Sequence, residues 1–317
     1  MHGVSTESPA RYYVSHETRY GYGEPVRLSR QLVRLRPRRR PFQRTTDFKL
    51  TISPDPDSHT ETEDAFGNPV TAICIDESHS ALSVHAGYWA EVTPRLLPDE
   101  SSTPPWEEVR ARLAYRAGRI PTPADLEATR YLFESPRVRN KRTIARWAGA
   151  CFAPRAPLLT AVRSLAERIH REMVFDPTAT TVSTPVTEVF ARRRGVCQDF
   201  AHFMLSCLRS LGLAARYVSG YLLTHPPPGR PRLLGADASH AWVSVYFPDH
   251  GWIDIDPTNA LFAGPEHITI AWGRDYEDTA PLRGVLLGGG PHTLHIAVTV
   301  APEPDVPRLF GPPLPGA

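Results

Sequence analysis

The most constraining feature of the sequence is an apolar pattern that begins at Cys197, directly after a Gly-Val pair, and runs to Leu211. Its apolar residues recur at helical spacings and fit one face of a helix with 3.6 residues per turn. They are Phe200, Phe203, Met204, Cys207, Leu208 and Leu211. Ala201 and Leu205 add apolar groups beside this face, and Gly212 provides a stop signal. The pattern predicts a buried central helix.

Strand-like segments follow this helix, and helical segments precede it. The strands are predicted in RYVSGYLL, SHAWVSVYF and GWIDID. The helices are predicted over residues 106–117, 124–134, 141–150 and 156–174. A set of helices followed by an antiparallel sheet indicates an α+β core. One more strand is predicted in HTLHIAVTVAPE, and the tail GPPLPGA is typical of a frayed terminus.

The first part of the chain has a different residue pattern. From Arg11 to about Val92 it alternates between apolar and polar residues, with turn residues between the runs. This pattern predicts an all-β sandwich domain over residues 1–93. Residues 94–106 are rich in Pro and Ser and predict a linker. A chain of 317 residues suits two domains, so residues 107–317 are assigned to the second, catalytic domain.

Charge and composition favour an ordinary globular protein. The formal net charge is +2, and the one dense basic run, Arg34–Arg44, is interrupted by prolines, so we expect a solvated surface stretch and no nucleic-acid partner. No segment approaches 18 uninterrupted apolar residues, and the N-terminus lacks the apolar core of a signal peptide. We therefore expect a cytoplasmic protein with no membrane contact.

The sequence gives no sign of a disulfide scaffold, a metal or a cofactor. Its four cysteines are far apart and form no CxxC pair; they are Cys74, Cys151, Cys197 and Cys207. There is no EF-hand loop and no phosphate-binding Gly-rich loop. His202 does not share a helical face with Cys197, which argues against a Cys/His metal site there. We expect neither a cofactor nor a metal.

The position of Cys197 suggests that its thiol is a candidate nucleophile. At the first turn of a helix, unpaired backbone N–H groups and the helix dipole favour an anion, so a thiol there ionises more readily than a free one. The alternative is a small buried apolar residue, as most unpaired cysteines are. Cys207 lies well inside the same helix and suits that alternative better.

A thiolate enzyme also needs an imidazole partner and a group that orients the imidazole. His240 opens the strand SHAWVSVYF, and the next strand ends at Asp256. A short hairpin joins the two strands, so both side chains can lie on neighbouring strands. Asp254 shares a strand face with Asp256, so alternation alone does not choose between the two carboxylates.

The simplest hairpin register conflicts with this pair. If Phe247 pairs with Trp252, then Asp256 faces Val243, and strict alternation puts its carboxylate on the sheet face opposite to His240. A bulge or an odd loop length must then shift the register by one residue.

These motifs resemble the core of bacterial transglutaminase-like proteins, a papain-related family. The resemblance lies in TPVTEVFARRRGVCQDFAHFMLSCLRSLGLAARYVSGYLL, SHAWVSVYFPDHGWIDIDPTN and GRDYEDTAPLRGV. YYVSHETRYGY, LRPR, QR and DAFGNPV are similar to the β-rich region that precedes this core in the family. The resemblance implies a catalytic triad of Cys197, His240 and Asp256.

What the resemblance implies chemically is an acyl-enzyme. A thiolate attacks a carboxamide or thioester carbonyl of a protein, peptide or small molecule, and an amine or water then takes the acyl group. The backbone N–H of Cys197 would stabilise the oxyanion in part. Residues that shape the site are expected to be Gln198, Trp242, Trp252, Asp254 and Arg274, with both tryptophans packed around the triad. The motif Gly273–Tyr276 either shapes the cleft or fastens a loop by an ion pair and turn.

Three alternatives to acyl transfer stay open. The first is a cysteine peptidase or amidase, in which water resolves the same intermediate. The second is biosynthetic amide-bond formation from an acyl thioester on a carrier protein. The third is a non-catalytic binding scaffold that keeps the fold without the activity.

Overall fold

A computed structural model describes residues 8–225 and 232–311 of the chain. The predicted frayed terminus falls on residues 312–317 and one neighbouring glycine, so nearly all of it lies outside the described residues. Within the described ranges, no helix combines the length and the apolar character that crossing a membrane requires.

The N-terminal part is an antiparallel β structure, as predicted. Its strands are β1 (Ala10–Val33), β2 (Gln43–Ser53), β3 (Ser58–Glu63), β4 (Pro69–Ile75) and β5 (His79–Val92). The alternation predicts two strands, in RYYVSHETRYGY and in RLSRQLVRLRP, where the structure has the single long strand β1. The pairing of β1 with β5 shifts register between Gly21 and Val26, a stretch that includes Pro25. A proline within a strand is tolerated at such an irregularity, so the strand continues past it.

Helices dominate the middle of the chain. They are α1 (Trp106–Leu113), α2 (Pro123–Thr129), α3 (Arg142–Gly149) and α4 (Leu158–Glu172), followed by the short strand β6 (Val174–Phe175), α5 (Val186–Arg192) and the short strand β7 (Arg194–Gly195). Four of these helices match the predicted segments in shortened form. The sequence prediction missed α5, whose seven residues are too few for a clear apolar period.

The rest of the chain contains the central helix and the second sheet. Its elements are α6 (Cys197–Ser210), β8 (Ala215–Leu222), β9 (Ser239–Phe247), β10 (Gly251–Asp256), β11 (Leu261–Phe262), β12 (His267–Gly273), α7 (Tyr276–Thr279), β13 (Leu282–Gly288), β14 (His292–Pro302) and α8 (Val306–Phe310). The sheet is antiparallel with the order β11-β10-β9-β8-β12. Buried residues of α6 share one apolar core with those of β8, β9 and β10. The predicted α+β core with a buried central helix is therefore confirmed.

The β9–β10 hairpin resolves the register conflict. Phe247 pairs with Gly251 rather than with Trp252, which leaves a three-residue loop at 248–250. Asp249 and Gly251 take positive φ values of 69° and 76° to close this loop. The register is thereby shifted by one residue, as the conflict required. Continued by one step, the ladder places Asp256 opposite Trp242, on the sheet face that His240 also shares.

The C-terminal strands β13 and β14 do not join the second sheet but pair with β1. The first part of β1 lies between β5 and β14, and its last part lies between β4 and β13. Apolar residues of β4 and β5 pack in one cluster, so the two halves of this sheet face each other as in a sandwich. The division into residues 1–93, 94–106 and 107–317 stays a prediction about domains, but strand pairing crosses it.

The basic run Arg34–Arg44 differs from the solvated surface stretch that the sequence predicts. It is solvated only in part: Arg39 and Arg44 are exposed, but Arg34 is only 7% exposed and pairs with Asp64 at 3.1 Å. The guanidinium of Arg38 stacks on the ring of Trp272, 3.2 Å from its centroid. Partners on β12 and in the N-terminal part cover these charges, so the run joins the two regions of the molecule.

Candidate active site

Cys197 is the first residue of α6, and the residues around it fix its position. The Asp199 carboxylate accepts hydrogen bonds from the backbone N–H of Val196 at 2.9 Å and from the Thr180 hydroxyl at 2.6 Å. A Cβ atom at Gly195 would collide with this carboxylate, so the position requires glycine. The thiol is half-buried at a helix N-terminus, where backbone N–H groups favour a negative charge.

His240 connects the thiol to a carboxylate. Its Nε2 lies 2.7 Å from Asp256 Oδ2, and only 11% of its side chain is exposed. Burial alone would lower the pKa of His240, but hydrogen bonds to Asp256 and Cys197, and the charges of both, raise it to about 10. Because Nε2 donates to Asp256, Nδ1 is the ring nitrogen left to exchange a proton with Cys197.

Asp256 is fully buried and accepts hydrogen bonds from several groups. Oδ1 accepts from the backbone N–H of Thr258 at 2.8 Å, and Oδ2 accepts from the Asn259 side chain at 2.6 Å and from His267 Nε2 at 3.4 Å. Burial alone would raise the pKa of Asp256, but these bonds and the His240 charge hold it well below its ordinary value. Asp256 therefore stays ionised over the pH range in which His240 exchanges its proton.

Sequence reasoning missed His267 and Asn259. The Asp-Pro-Thr-Asn segment is typical of a turn in which an aspartate accepts from the backbone two residues later, here Thr258, and this turn also brings the Asn259 side chain to Asp256. His267 lies on β12, an edge strand that β9 and β8 separate from β10 in the sheet. Only the tertiary fold brings His267 to Asp256, so no local sequence pattern predicts this contact.

His240, Asp256 and His267 also form the type of cluster that can hold a metal, since their ligand atoms lie within 4.8 Å of one another. The 2.7 Å distance between His240 Nε2 and Asp256 Oδ2 argues for a direct hydrogen bond instead. Two ligand atoms bound tetrahedrally to zinc at 2.0–2.2 Å would lie about 3.4 Å apart. The arrangement fits a charge-assisted hydrogen bond better than a metal centre.

Cys197 and His240 open into one cleft of about 760 Å³. Residues of α6 and the second sheet line it on one side, and residues of the sheet that contains β1 and β14 line it on the other. Its lining residues are His16, Thr18, Tyr20, Phe175, Pro177, Val196, Cys197, Gln198, Tyr217, Ser219, Leu222, Thr224, Ala238, Ser239, His240, Ala241, Thr258, Asn259, Tyr276, Pro281, Leu282, Leu294 and Ile296. Among these described residues there is no Asp, Glu, Lys or Arg.

Two of the residues expected to shape the site lie at it. Gln198 lines the cleft. Trp242 is fully buried, and its ring stands edge-on to His267 with centroids 5.2 Å apart and lies 6.1 Å from the His240 ring. A Cβ atom at Gly220, on the neighbouring strand, would collide with the Trp242 ring. Trp242 therefore packs against the imidazole rings of both His240 and His267.

The other three lie elsewhere. Trp252 was expected beside the triad, but it packs against Tyr131, with ring centroids 5.2 Å apart. Asp254 is surrounded by arginines on the side of the N-terminal region. Arg274 pairs with Asp278 at 2.9 Å and fastens the turn before α7. Tyr276, two residues later, lines the cleft, so a part in shaping it stays a prediction for the Gly273–Tyr276 motif.

Comparisons with known proteins agree with the motifs. Residues 12–91 match the family model of the bacterial transglutaminase-like N-terminal region, and residues 145–257 match that of the transglutaminase-like superfamily. An uncharacterized protein of Mycobacterium tuberculosis is 36% identical over 300 residues, which cover 92% of this chain and 93% of that protein. A counterpart in Mycobacterium leprae is 31% identical over 294 residues, covering 92% of this chain and 98% of its own length.

Two further comparisons reach proteins with a described activity. A protein-glutamine gamma-glutamyltransferase of Pseudomonas aeruginosa is 32% identical over 144 residues, covering 41% of this chain and 21% of that enzyme. A solved structure from Cytophaga hutchinsonii, described as a candidate cysteine protease, has a TM-score of 0.73 at 18% identity and covers 96% of this chain and 93% of its own. The latter shows a shared fold over nearly the whole chain.

Proposed function

We propose a cysteine-dependent acyl-transfer reaction for this chain, which belongs to the transglutaminase-like superfamily. The superfamily supports acyl transfer or hydrolysis through a cysteine in general. The specific proposal assigns the nucleophile to Cys197, the proton-carrying base to His240 and the orienting carboxylate to Asp256. The observation that carries it is the hydrogen bond of 2.7 Å that holds His240 against Asp256 in the cleft of Cys197.

The reaction begins with the Cys197 proton on His240 Nδ1. The thiolate sulfur attacks the carbonyl carbon of a carboxamide or thioester and forms a tetrahedral intermediate. As this collapses, the imidazolium returns the proton to the departing amine or thiol, and a thioester remains on Cys197. An amine or a water then loses a proton to His240 and attacks this thioester, which releases the product and restores the thiol.

Asp256 acts through His240 rather than on the substrate. Its hydrogen bond holds the imidazole with Nδ1 toward the thiol, and its charge stabilises the imidazolium. The donors around Asp256 keep this carboxylate in place and ionised. The same geometry thus serves both halves of the reaction.

The oxyanion needs two donors. The first is the backbone N–H of Cys197 at the start of α6. For the second we propose the hydroxyl of Tyr217, which lines the cleft. Burial, and then the nearby Cys197 charge, raise the pKa of Tyr217 well above its ordinary value, so this hydroxyl keeps its proton. The Tyr217 ring lies against His202, with centroids 5.1 Å apart, which fixes its direction.

Alkylation with iodoacetamide across pH 5 to 9 tests the nucleophile. We expect Cys197 to react selectively well below the pKa of about 8.5 of a free thiol. Mass spectrometry locates the modified residue, and the Cys197→Ala variant is the blank. Cys74 and Cys151 serve as internal controls, because the pKa values of both are raised, that of Cys151 by burial. Reaction of Cys197 no faster than these two would reject the proposal in favour of a binding scaffold.

Amine acceptors distinguish transfer from hydrolysis. Both pass through the same acyl-enzyme, so turnover of an amide or thioester donor is measured with and without an added primary amine. Faster donor consumption together with an amide product identifies transfer. Unchanged consumption with only the free acid formed identifies a peptidase or amidase. Turnover of thioesters without any turnover of amides points to the biosynthetic alternative.

A further inference from the structure

One wall of the cleft is built by the first sheet rather than by the catalytic core. On paired strands β1 and β14, Thr18 lies opposite Ile296, and Tyr20 lies opposite Leu294. Residues that face each other across a ladder, and those two positions along, present their side chains to the same sheet face. All four line the cleft that contains Cys197. We call this face the β1–β14 wall.

The β1–β14 wall leaves apolar side chains open to solvent. Leu294 is 51% exposed, and Ile296 is 52% exposed. Such residues are unremarkable when scattered, but grouped beside a nucleophile they mark a binding surface. Leu222 and Leu282 extend the apolar character around the same cleft.

Among the described residues that line the cleft, the polar side chains are uncharged at neutral pH apart from the catalytic pair. His16 is buried, and burial, followed by the charge of His85, lowers its pKa to about 4, so it is neutral. The remaining polar lining side chains are hydroxyls and amides: Thr18, Gln198, Tyr217, Ser219, Thr224, Ser239, Thr258, Asn259, Tyr20 and Tyr276. Away from Cys197 and His240, a charged ligand group would lose hydration without meeting a counter-charge on any described lining residue.

We infer that the β1–β14 wall is the acyl-donor subsite, and that the donor is an uncharged peptide segment with an apolar side chain beside the reactive carboxamide. The apolar side chain packs on Leu294 and Ile296. The hydroxyls and amides of the cleft pair with the peptide backbone, which an alkyl chain would leave without partners. This inference rests on the proposed function, because it names the substrate of the same site.

The experiment measures binding on the Cys197→Ala protein, so no chemistry is needed. The probe is a fluorescent hexapeptide with blocked ends and one glutamine flanked by leucines, and its partner has aspartates in place of the leucines. We expect the leucine peptide to bind at least tenfold more tightly than the aspartate peptide. Leu294→Asp and Ile296→Asp should each weaken its binding at least tenfold.

The matched control is Leu287→Asp. Leu287 lies on β13 of the same sheet and is 62% exposed, but it does not line the cleft. We expect less than a twofold change for this variant. Thermal unfolding checks that all three variants keep the fold, which their exposed positions favour.

The alternative results are distinct. Equal binding of the two peptides, no binding of either, or no effect of the two wall substitutions would overturn the inference. Binding of an octanoyl thioester in place of the peptide would also overturn it and indicate an alkyl donor. The alkylation of Cys197 in the wild-type protein is measured separately, so failure of the proposed catalysis and failure of the wall are told apart.

Discussion

Two carboxylates on the same face of β10 have opposite surroundings. Asp256, at the end of the strand, accepts from His240 and from neutral amide groups at the edge of the cleft. Asp254, two residues earlier, lies 3.4 Å from Arg40 and 3.2 Å from Arg95. Both side chains are fully buried, with no exposed surface. One carboxylate therefore belongs to the cleft, and the other to the contact with the N-terminal region.

The difference lies in the charge that each carboxylate balances. Burial alone would raise the pKa of Asp254, but the charges of Arg40, Arg95 and Arg216 hold it well below its ordinary value. A guanidinium is a much stronger base than an imidazole and does not exchange its proton near neutral pH, so this ion cluster is unsuited to acid–base chemistry. The imidazole beside Asp256 can gain and lose a proton, so the same type of anion there can support catalysis. The partner, rather than the carboxylate, decides the role.

The largest expected effect comes from Asp256→Asn. An amide oxygen can accept the imidazolium N–H but carries no negative charge to stabilise it, so we expect turnover to fall roughly 10²–10⁴-fold. Iodoacetamide reaction of Cys197 at pH 6 should fall at least tenfold, because a lower His240 pKa leaves less thiolate. Stopped alkylation time courses measure it. An unchanged rate at pH 6 would contradict the assignment of Asp256 as the orienting group.

Asp254→Asn should instead affect stability. It leaves the buried Arg216 and the mostly buried Arg40 and Arg95 without their counter-charge, and breaking a buried pair costs about 3–5 kcal/mol of unfolding free energy. Urea unfolding measures the loss, while Cys197 alkylation in the folded protein should stay within twofold of wild type. Asp249→Asn is the control, since Asp249 is 79% exposed and pairs only loosely with Arg112 at 3.6 Å. It should change stability by less than about 0.5 kcal/mol.

The pH dependence of the unfolding free energy should reveal the contribution of the His240 imidazolium. The pKa of His240 is raised to about 10 in the folded protein, above its ordinary value of 6.5. Its contribution is therefore complete below about pH 6.5 and is lost as the pH rises toward 10. We expect the unfolding free energy of wild type to fall by a few kcal/mol more than that of His240→Gln between pH 6.5 and 9.5. Parallel curves for the two proteins would show that His240 does not gain its proton on folding.

The smallest effect is expected at His267. Its hydrogen bond to Asp256 is long, 3.4 Å, so its loss in His267→Phe should cost about 1 kcal/mol, or roughly fivefold in alkylation rate at pH 6. His267→Gln keeps an N–H donor and should lose less. A drop as large as that of Asp256→Asn would mean that His267 has a larger part in the site than its geometry indicates.

The features that could be predicted from the sequence are those that depend on local residue patterns and on motifs. The period after Cys197 located the central helix, and the order of strands gave the α+β core. The choice of Asp256 over Asp254 came from the family resemblance, because alternation places both on one face. The register needed the three-residue loop at 248–250, which is visible only in the structure.

Other features depend on contacts between distant parts of the chain. Arg34 and Arg38 have the sequence signature of a solvated run, but their burial is decided by Asp64 and Trp272, which lie far along the chain. In the same way β14 was predicted as a strand without its partner. Strand pairing over such separations leaves no mark in a local window.

The pairing of β1 with β14 has a consequence for how the molecule is made. Tyr12 pairs with Pro302, so the two ends of the described chain must meet before this ladder can close. A chain growing on the ribosome presents Cys197 and His240 before Leu294 and Ile296 have been synthesised. The wall beside the nucleophile is thus completed last, and long-range pairing of this kind closes slowly. Under the proposed function, a nascent chain carries its nucleophile before the β1–β14 wall that would receive the substrate is complete.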